Sequence, residues 1–131
     1  MDKLETFRAF VGPFQRQAIY SAMQGEEGAF FRDMVISLID KFATMPETYE
    51  QDGIGESAVA YLHYFTPGAD YYITERDSDP DGEGQVQAFG SADLGYGPEL
   101  GYISIKELLE NRAELDLYFI PCTLASLRNA A

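Results

Sequence analysis

The chain has 131 residues, 46% of them hydrophobic and 14% aromatic, with 22 acidic against 9 basic side chains and a net charge of -13. That length and apolar content fit one folded domain with its own core, not a disordered acidic tail. The charge argues against direct binding to DNA, RNA or anionic lipid, each of which needs a basic surface, and favours basic partners, cations or simple solubility. A single cysteine, Cys122, and a single histidine, His63, exclude an internal disulfide, a cysteine zinc site and a multi-histidine metal centre.

In chain order, Asp2 followed three residues later by Glu5 forms a capping-box pattern, and Leu4, Phe7 and Phe10 supply the apolar face of a short first helix. Gly12-Pro13 ends it, and Pro13 suits the first turn of a second helix reaching Met23, with Phe14, Ala18, Ile19 and Met23 on one side. A third helix is expected over about 26–44, where Phe30, Phe31, Met34, Val35, Leu38, Ile39 and Phe42 recur at helical steps. Residues 47–56 form a polar connector. The period then shortens. Residues 57–65 and 70–75 read as strands joined by the hairpin chemistry of Thr66-Pro67-Gly68-Ala69. Further strands are expected at 85–89, 101–103 and 115–120, with a glycine-rich loop over 90–101. Ser104 and Glu107 make a second capping box for a helix over about 105–112, and Pro121 opens a last helix over 122–128.

This order predicts an α+β fold: a mostly antiparallel sheet of about five strands, with the N-terminal helices and one or two C-terminal helices on one face. One domain spans 1–131, with a helical part at 1–45 and a sheet part at 46–131. No segment reads as a signal peptide and no stretch spans a bilayer, so a reducing, cytoplasmic location is expected.

Several short motifs share a common resemblance. Residues 61–75 (YLHYFTPGADYYITE), Ala88-Phe89-Gly90, residues 99–105 (ELGYISI), Glu107-Leu108 and Asp116-Leu117-Tyr118-Phe119 occur in an order that resembles the domain of unknown function 2958. Met45-Pro46-Glu47-Thr48-Tyr49 and Asp52-Gly53 are similar to a subgroup of that family. The resemblance covers about residues 45–120. It implies a small α+β fold and a habitat on plasmids, integrative elements and phages. It brings no activity and no functional residue.

The sharpest chemical demand comes from Asp77-Ser78-Asp79-Pro80-Asp81-Gly82-Glu83, four acids at alternate positions in a turn. Asp77, Asp79, Asp81 and Gly82 match the start of an EF-hand loop, but Ala88 stands where the bidentate glutamate belongs and the flanks read as strands. No cofactor is expected. Between Glu47 and Glu83 lie ten acids and one base, Arg76, which predicts an acidic face built from Glu47, Glu50, Asp52, Asp77, Asp79, Asp81 and Glu83. Tyr71 and Tyr72 alternate across their strand, so one of them is available as an interface aromatic. His63 and Glu75 are the acid–base pair of an enzymatic alternative. Cys122 at a helix start is either a small buried apolar residue or a thiol of lowered pKa. The glycines at 90, 95, 97 and 101 lack the lysine of a phosphate-binding loop and suit turns and close strand approach.

These features together predict a small, non-enzymatic binding protein of mobile-element origin that meets a basic surface on a host protein. Its sharp form is a nucleic-acid mimic whose carboxylates stand in for phosphates. The alternatives are an accessory or self-assembling domain of a larger mobile-element protein, and an enzyme using His63 and Glu75.

Overall fold

A computed structural model describes residues 2–78 and 83–129. The chain opens with α1 (Lys3–Phe10), α2 (Pro13–Met23) and α3 (Gly28–Thr44). Asp2 caps α1 as its sequence suggests, its carboxylate accepting the Glu5 N–H at 2.8 Å, and Pro13 sits in the first turn of α2. The α3 stripe reaches the core from Met34 onward, with Met34, Val35 and Ile39 packed against it. Leu38 and Phe42 are buried, whereas Phe30 lies more than half exposed and makes an edge contact with Phe31.

The sheet consists of β2 (Leu62–Thr66), β3 (Ala69–Glu75), β4 (Ala88–Asp93), β5 (Pro98–Ile103) and β6 (Glu114–Leu115), in the order β5-β4-β3-β2-β6, with every pair antiparallel. The fold is α+β with a mostly antiparallel sheet. Pro67 and Gly68 form the two-residue turn between β2 and β3, where Gly68 takes a φ of 84° that a side chain would resist. A second, two-stranded sheet pairs β1 (Val59–Ala60) with β7 (Cys122–Thr123).

One face of the large sheet carries Leu62, Tyr64, Ile73, Ala88, Ile103 and Leu115. Phe7, Phe10, Ile19, Leu38 and Phe42 from the three N-terminal helices and Val11 from the α1–α2 corner close over it, joined by Ile105 and Leu108 of α4 (Ile105–Glu110). Phe10 and Phe42 stack with centroids 4.4 Å apart, a contact that adds about 0.5–1.5 kcal/mol beyond area burial. The last helix, α5 (Leu124–Asn129), goes to the other side. Leu124 and Leu127 pack with Ala58, Ala60, Tyr72 and Phe119, and Arg128 donates to the buried Ser91 hydroxyl opposite Tyr72. The helical cover expected on one face thus consists of α1–α4, and α5 shields part of the second face.

Several boundaries differ from the sequence reading: the expected 85–89 strand begins at Ala88, residues 122–123 form β7 instead of the start of the last helix, and three others differ for a clear local reason. The expected 57–65 strand is split at Tyr61. The Gln51 side-chain amide occupies the gap beside β1, donating to the Val59 and Thr74 carbonyls and accepting from the Val59 N–H. The expected 90–101 loop is mostly hairpin, with Gly90 opposite Gly101 and a turn confined to 94–97. The expected 115–120 strand stops at Leu115, because the Asp116 carboxylate accepts the Tyr118 N–H and its carbonyl the Phe119 N–H, turning the chain.

Gly90 is a steric requirement. A Cβ there would lie 1.9 Å from the Tyr72 carbonyl oxygen, next to the register shift between Ile73 and Glu75. Gly90→Ala is therefore expected to destabilise the protein by more than about 3 kcal/mol in chemical denaturation, unlike an ordinary glycine-to-alanine change.

Tyr64 is fully buried and donates its phenol to the Phe10 carbonyl. Burial pushes this phenol well above the ordinary 10.0, so the folded protein holds a proton that the unfolded chain releases. The associated stability is complete below pH 10.0 and is lost as pH rises through the folded value. Tyr64→Phe should cost about 1 kcal/mol at neutral pH by leaving the Phe10 carbonyl unpaired. Its alkaline denaturation profile should be shallower than that of the wild type.

Candidate functional site

The described ones among the acidic residues singled out in the sequence do not gather at one point. Glu47 pairs with Arg76 at 2.9 Å, and their backbones form an isolated parallel bridge. Glu50 is exposed, its carboxylate accepting the Glu47 N–H at 2.8 Å, and Asp52 is exposed beside it. Asp77 is turned inward and accepts the Gln87 N–H, while the Gln85 amide bonds both its backbone N–H and its carbonyl. Asp79 and Asp81 lie outside the described residues. Glu83 is exposed on the opposite side, near α1 and α4. Among the described residues no group of three His, Cys, Asp or Glu side chains converges as a metal site.

The tyrosines separate as strand alternation requires. Tyr71 packs against the main core, whereas Tyr72 faces the second side and stacks on His63 with centroids 4.5 Å apart. Burial, and secondarily the nearby Asp70, raise the Tyr72 phenol above its ordinary value. His63 is held between two carboxylates, with Nε2 2.7 Å from Asp70 and Nδ1 3.3 Å from Asp116. Glu75 has different partners, the Tyr49 N–H and the Thr74 hydroxyl. No hydrogen bond or ion pair joins His63 to Glu75 among the described residues, so the two are not brought together as an acid–base dyad. Cys122 is half-buried in β7 and begins no helix.

A different group of residues does converge. The 47–58 segment folds over the second face of the sheet beside β3, β4 and β5. Together with Leu124 they enclose a cleft of about 290 Å³ lined by Gln51, Asp52, Thr74, Glu75, Phe89 and Leu100, among others. The register shift in β3 breaks strand alternation just where Thr74 and Glu75, consecutive in sequence, both line this cleft. At its rim the phenols of Tyr49 and Tyr102 share a hydrogen bond of 2.6 Å, and the Tyr102 ring stands edge-on to Phe89 at 5.6 Å. Both tyrosines are more than half exposed. The hydrogen bond from Tyr49 first, with the charges of Asp52 and Glu75 as lesser causes, raises the Tyr102 phenol above 10.0. Tyr49 holds a left-handed φ of 79°, fixed by its N–H bond to the buried Glu75.

Sequence reasoning placed Glu75 in a catalytic pair, counted Tyr102 among the strand tyrosines of a candidate interaction surface, and gave Tyr49 and Gln51 no role. Tyr49 carried a readable signal, as an aromatic inside an otherwise acidic, turn-rich connector.

In comparisons with known proteins, the chain matches no family model, no curated protein and no solved structure. No helix among the described residues is long and apolar enough to cross a membrane.

The cleft depends on Gln51, whose amide pins the 47–58 segment to the sheet. Gln51→Ala leaves three part-buried backbone groups without their partner and should cost about 1–3 kcal/mol. Hydrogen exchange should accelerate at the Val59 amide and at the Tyr49 amide, while the β3–β4 ladder remains protected.

Proposed function

We propose that the protein is a non-enzymatic binding module that docks a basic protein surface at the Tyr49–Tyr102 cleft. The observation that carries this reading is the chemistry of the cleft. The Asp52 and Glu75 carboxylates meet Phe89 and Leu100 in a cavity whose lining contains no cationic side chain. Aromatic rings and carboxylates around one small cavity suit a lysine or arginine from a partner, whose cation is attracted by both and whose methylenes pack on the rings. Glu50 and Asp52 are exposed beside it, which extends the negative field and steers a basic partner toward it.

The finer form of the proposal keeps the mimic idea. A chain of net charge -13 that presents carboxylates to a basic groove competes with a phosphate backbone for the same cations. The host protein would then be a nucleic-acid-binding one, such as part of a defence system against mobile DNA. That step, like a cytoplasmic location in a cell carrying a mobile element, rests on the charge and on the resemblance of residues 45–120.

The test is affinity capture from host lysate with graded salt washes, comparing wild type with Glu50→Lys/Asp52→Lys and with Tyr102→Ala. The partner should elute with rising salt, and each variant should weaken capture by about tenfold or more. Capture that resists salt and tolerates the charge reversal would overturn the proposal in favour of an apolar, self-assembling module. Reversal at Asp77 is not a clean probe, because its buried carboxylate holds the Gln87 N–H.

A further inference from the structure

The basic residues of this acidic chain are unevenly spent. Of nine, Arg76 and Arg128 are ion-paired with Glu47 and Glu56, and the Lys41 ammonium and Arg32 guanidinium reach the carbonyls of Phe119 and Met23. Four others, Arg8, Arg16, Lys106 and Arg112, line one cavity of about 530 Å³ between α1, the start of α2, α4 and residues 83–85. None of the four belongs to an ion pair among the described residues. Arg16 uses one amino group to hold the Val11 carbonyl at 2.6 Å.

The rest of the wall is largely apolar, with Gln85 as a further polar residue. Ala9, Pro13, Phe14 and Leu109 line it, and two carboxylates, Glu83 and Glu110, complete the ring. Phe14 is two-thirds exposed, and the Arg112 guanidinium lies 4.8 Å from its ring centre. An exposed phenylalanine already stacked by a guanidinium offers a platform on which a flat ring can continue the stack. The volume falls in the range of small-molecule sites.

We infer that this cavity binds a small phosphate ester with a planar aromatic body, of nucleoside-monophosphate size. Among the described residues, four cations against two carboxylates leave a local excess of positive charge that suits one phosphate group. Guanidinium forks match phosphate oxygens. The overall charge selects size as well as sign: a long polyanion is repelled by the surrounding acids, whereas a dianion small enough to lie within the cavity meets the four cations at close range. This site is separate from the Tyr49–Tyr102 cleft, and no residue lines both.

The experiment is an NMR titration of the isotopically labelled full chain with AMP, with adenosine, inorganic phosphate and a hexaglutamate peptide as parallel probes. AMP should produce saturable shifts at the amides of Ala9, Phe14 and Leu109. Adenosine and phosphate alone should each bind at least about tenfold more weakly. Arg8→Glu/Lys106→Glu, at two exposed positions, should reduce AMP affinity by at least about tenfold while the core resonances stay in place. The inference is overturned if AMP gives no saturable shifts, if adenosine binds as tightly as AMP, or if the double variant binds AMP unchanged. It is also overturned if hexaglutamate saturates the same amides more tightly than AMP, which would make the cavity an acidic-peptide site.

Discussion

The corner between α1 and α2 is where a buried hydrogen bond, set inside the apolar core, fixes the helical layer on the sheet. The last carbonyls of a helix have no partner within the helix, and a phenol at zero exposure has no water. Tyr64 and Phe10 solve both problems at once: the phenol donates to the carbonyl and the two groups leave solvent together. Arg16 takes the neighbouring Val11 carbonyl, so the end of α1 is capped from two directions. With that corner fixed on β2, α3 lies across it, and Phe42 stacks on Phe10 in a position that sequence periodicity alone does not specify. Gln15 extends the same attachment to the far edge of the sheet, its amide pairing with both backbone groups of Leu115.

The covered face leaves a second face to be managed, and this is where the candidate chemistry sits. It is too apolar to be left bare and is shielded piecemeal. α5 and Phe119 cover Tyr72, and the 47–58 segment leans over Thr74 and Glu75. Piecemeal shielding leaves a cleft, and a carboxylate at its floor gives the cleft a sign. The cationic cavity lies on the other side of the molecule, against the outer surface of the helices. The chain thus carries two sites of opposite polarity, each made of side chains from elements far apart in sequence.

Much of the fold was legible. The two capping boxes, at Asp2 and Ser104, mark real helix starts, and the Pro67-Gly68 turn sets the β2–β3 register. What was hidden had a common cause: it depended on partners distant in sequence. Gly90 read as the start of a loop because a glycine carries no periodic signal, yet it faces Gly101 across a ladder. Gln51 read as connector, and only the gap beside β1 shows why its amide matters. Asp77 read as a surface acid because it sits among acids, yet it is buried with its carboxylate accepting the Gln87 N–H. The second site was invisible for the same reason. Arg8, Arg16, Lys106 and Arg112 are scattered along the chain and look like ordinary solubilising charges until α1, α2 and α4 bring them together.

The edge formed by β5 has a further consequence. β6 closes the far side of the sheet with only two residues, so β5, six residues long, is the extended rim of the five-stranded sheet. An unpaired rim of this length is an invitation to fibril growth, since another extended chain can continue the ladder. Its own composition works against that. Pro98 removes a donor at the first position, Glu99 places a charge at the second, and Gly101 lowers the intrinsic tendency to stay extended. The rim of the sheet thus carries its own protection against strand addition, in three residues of a single strand.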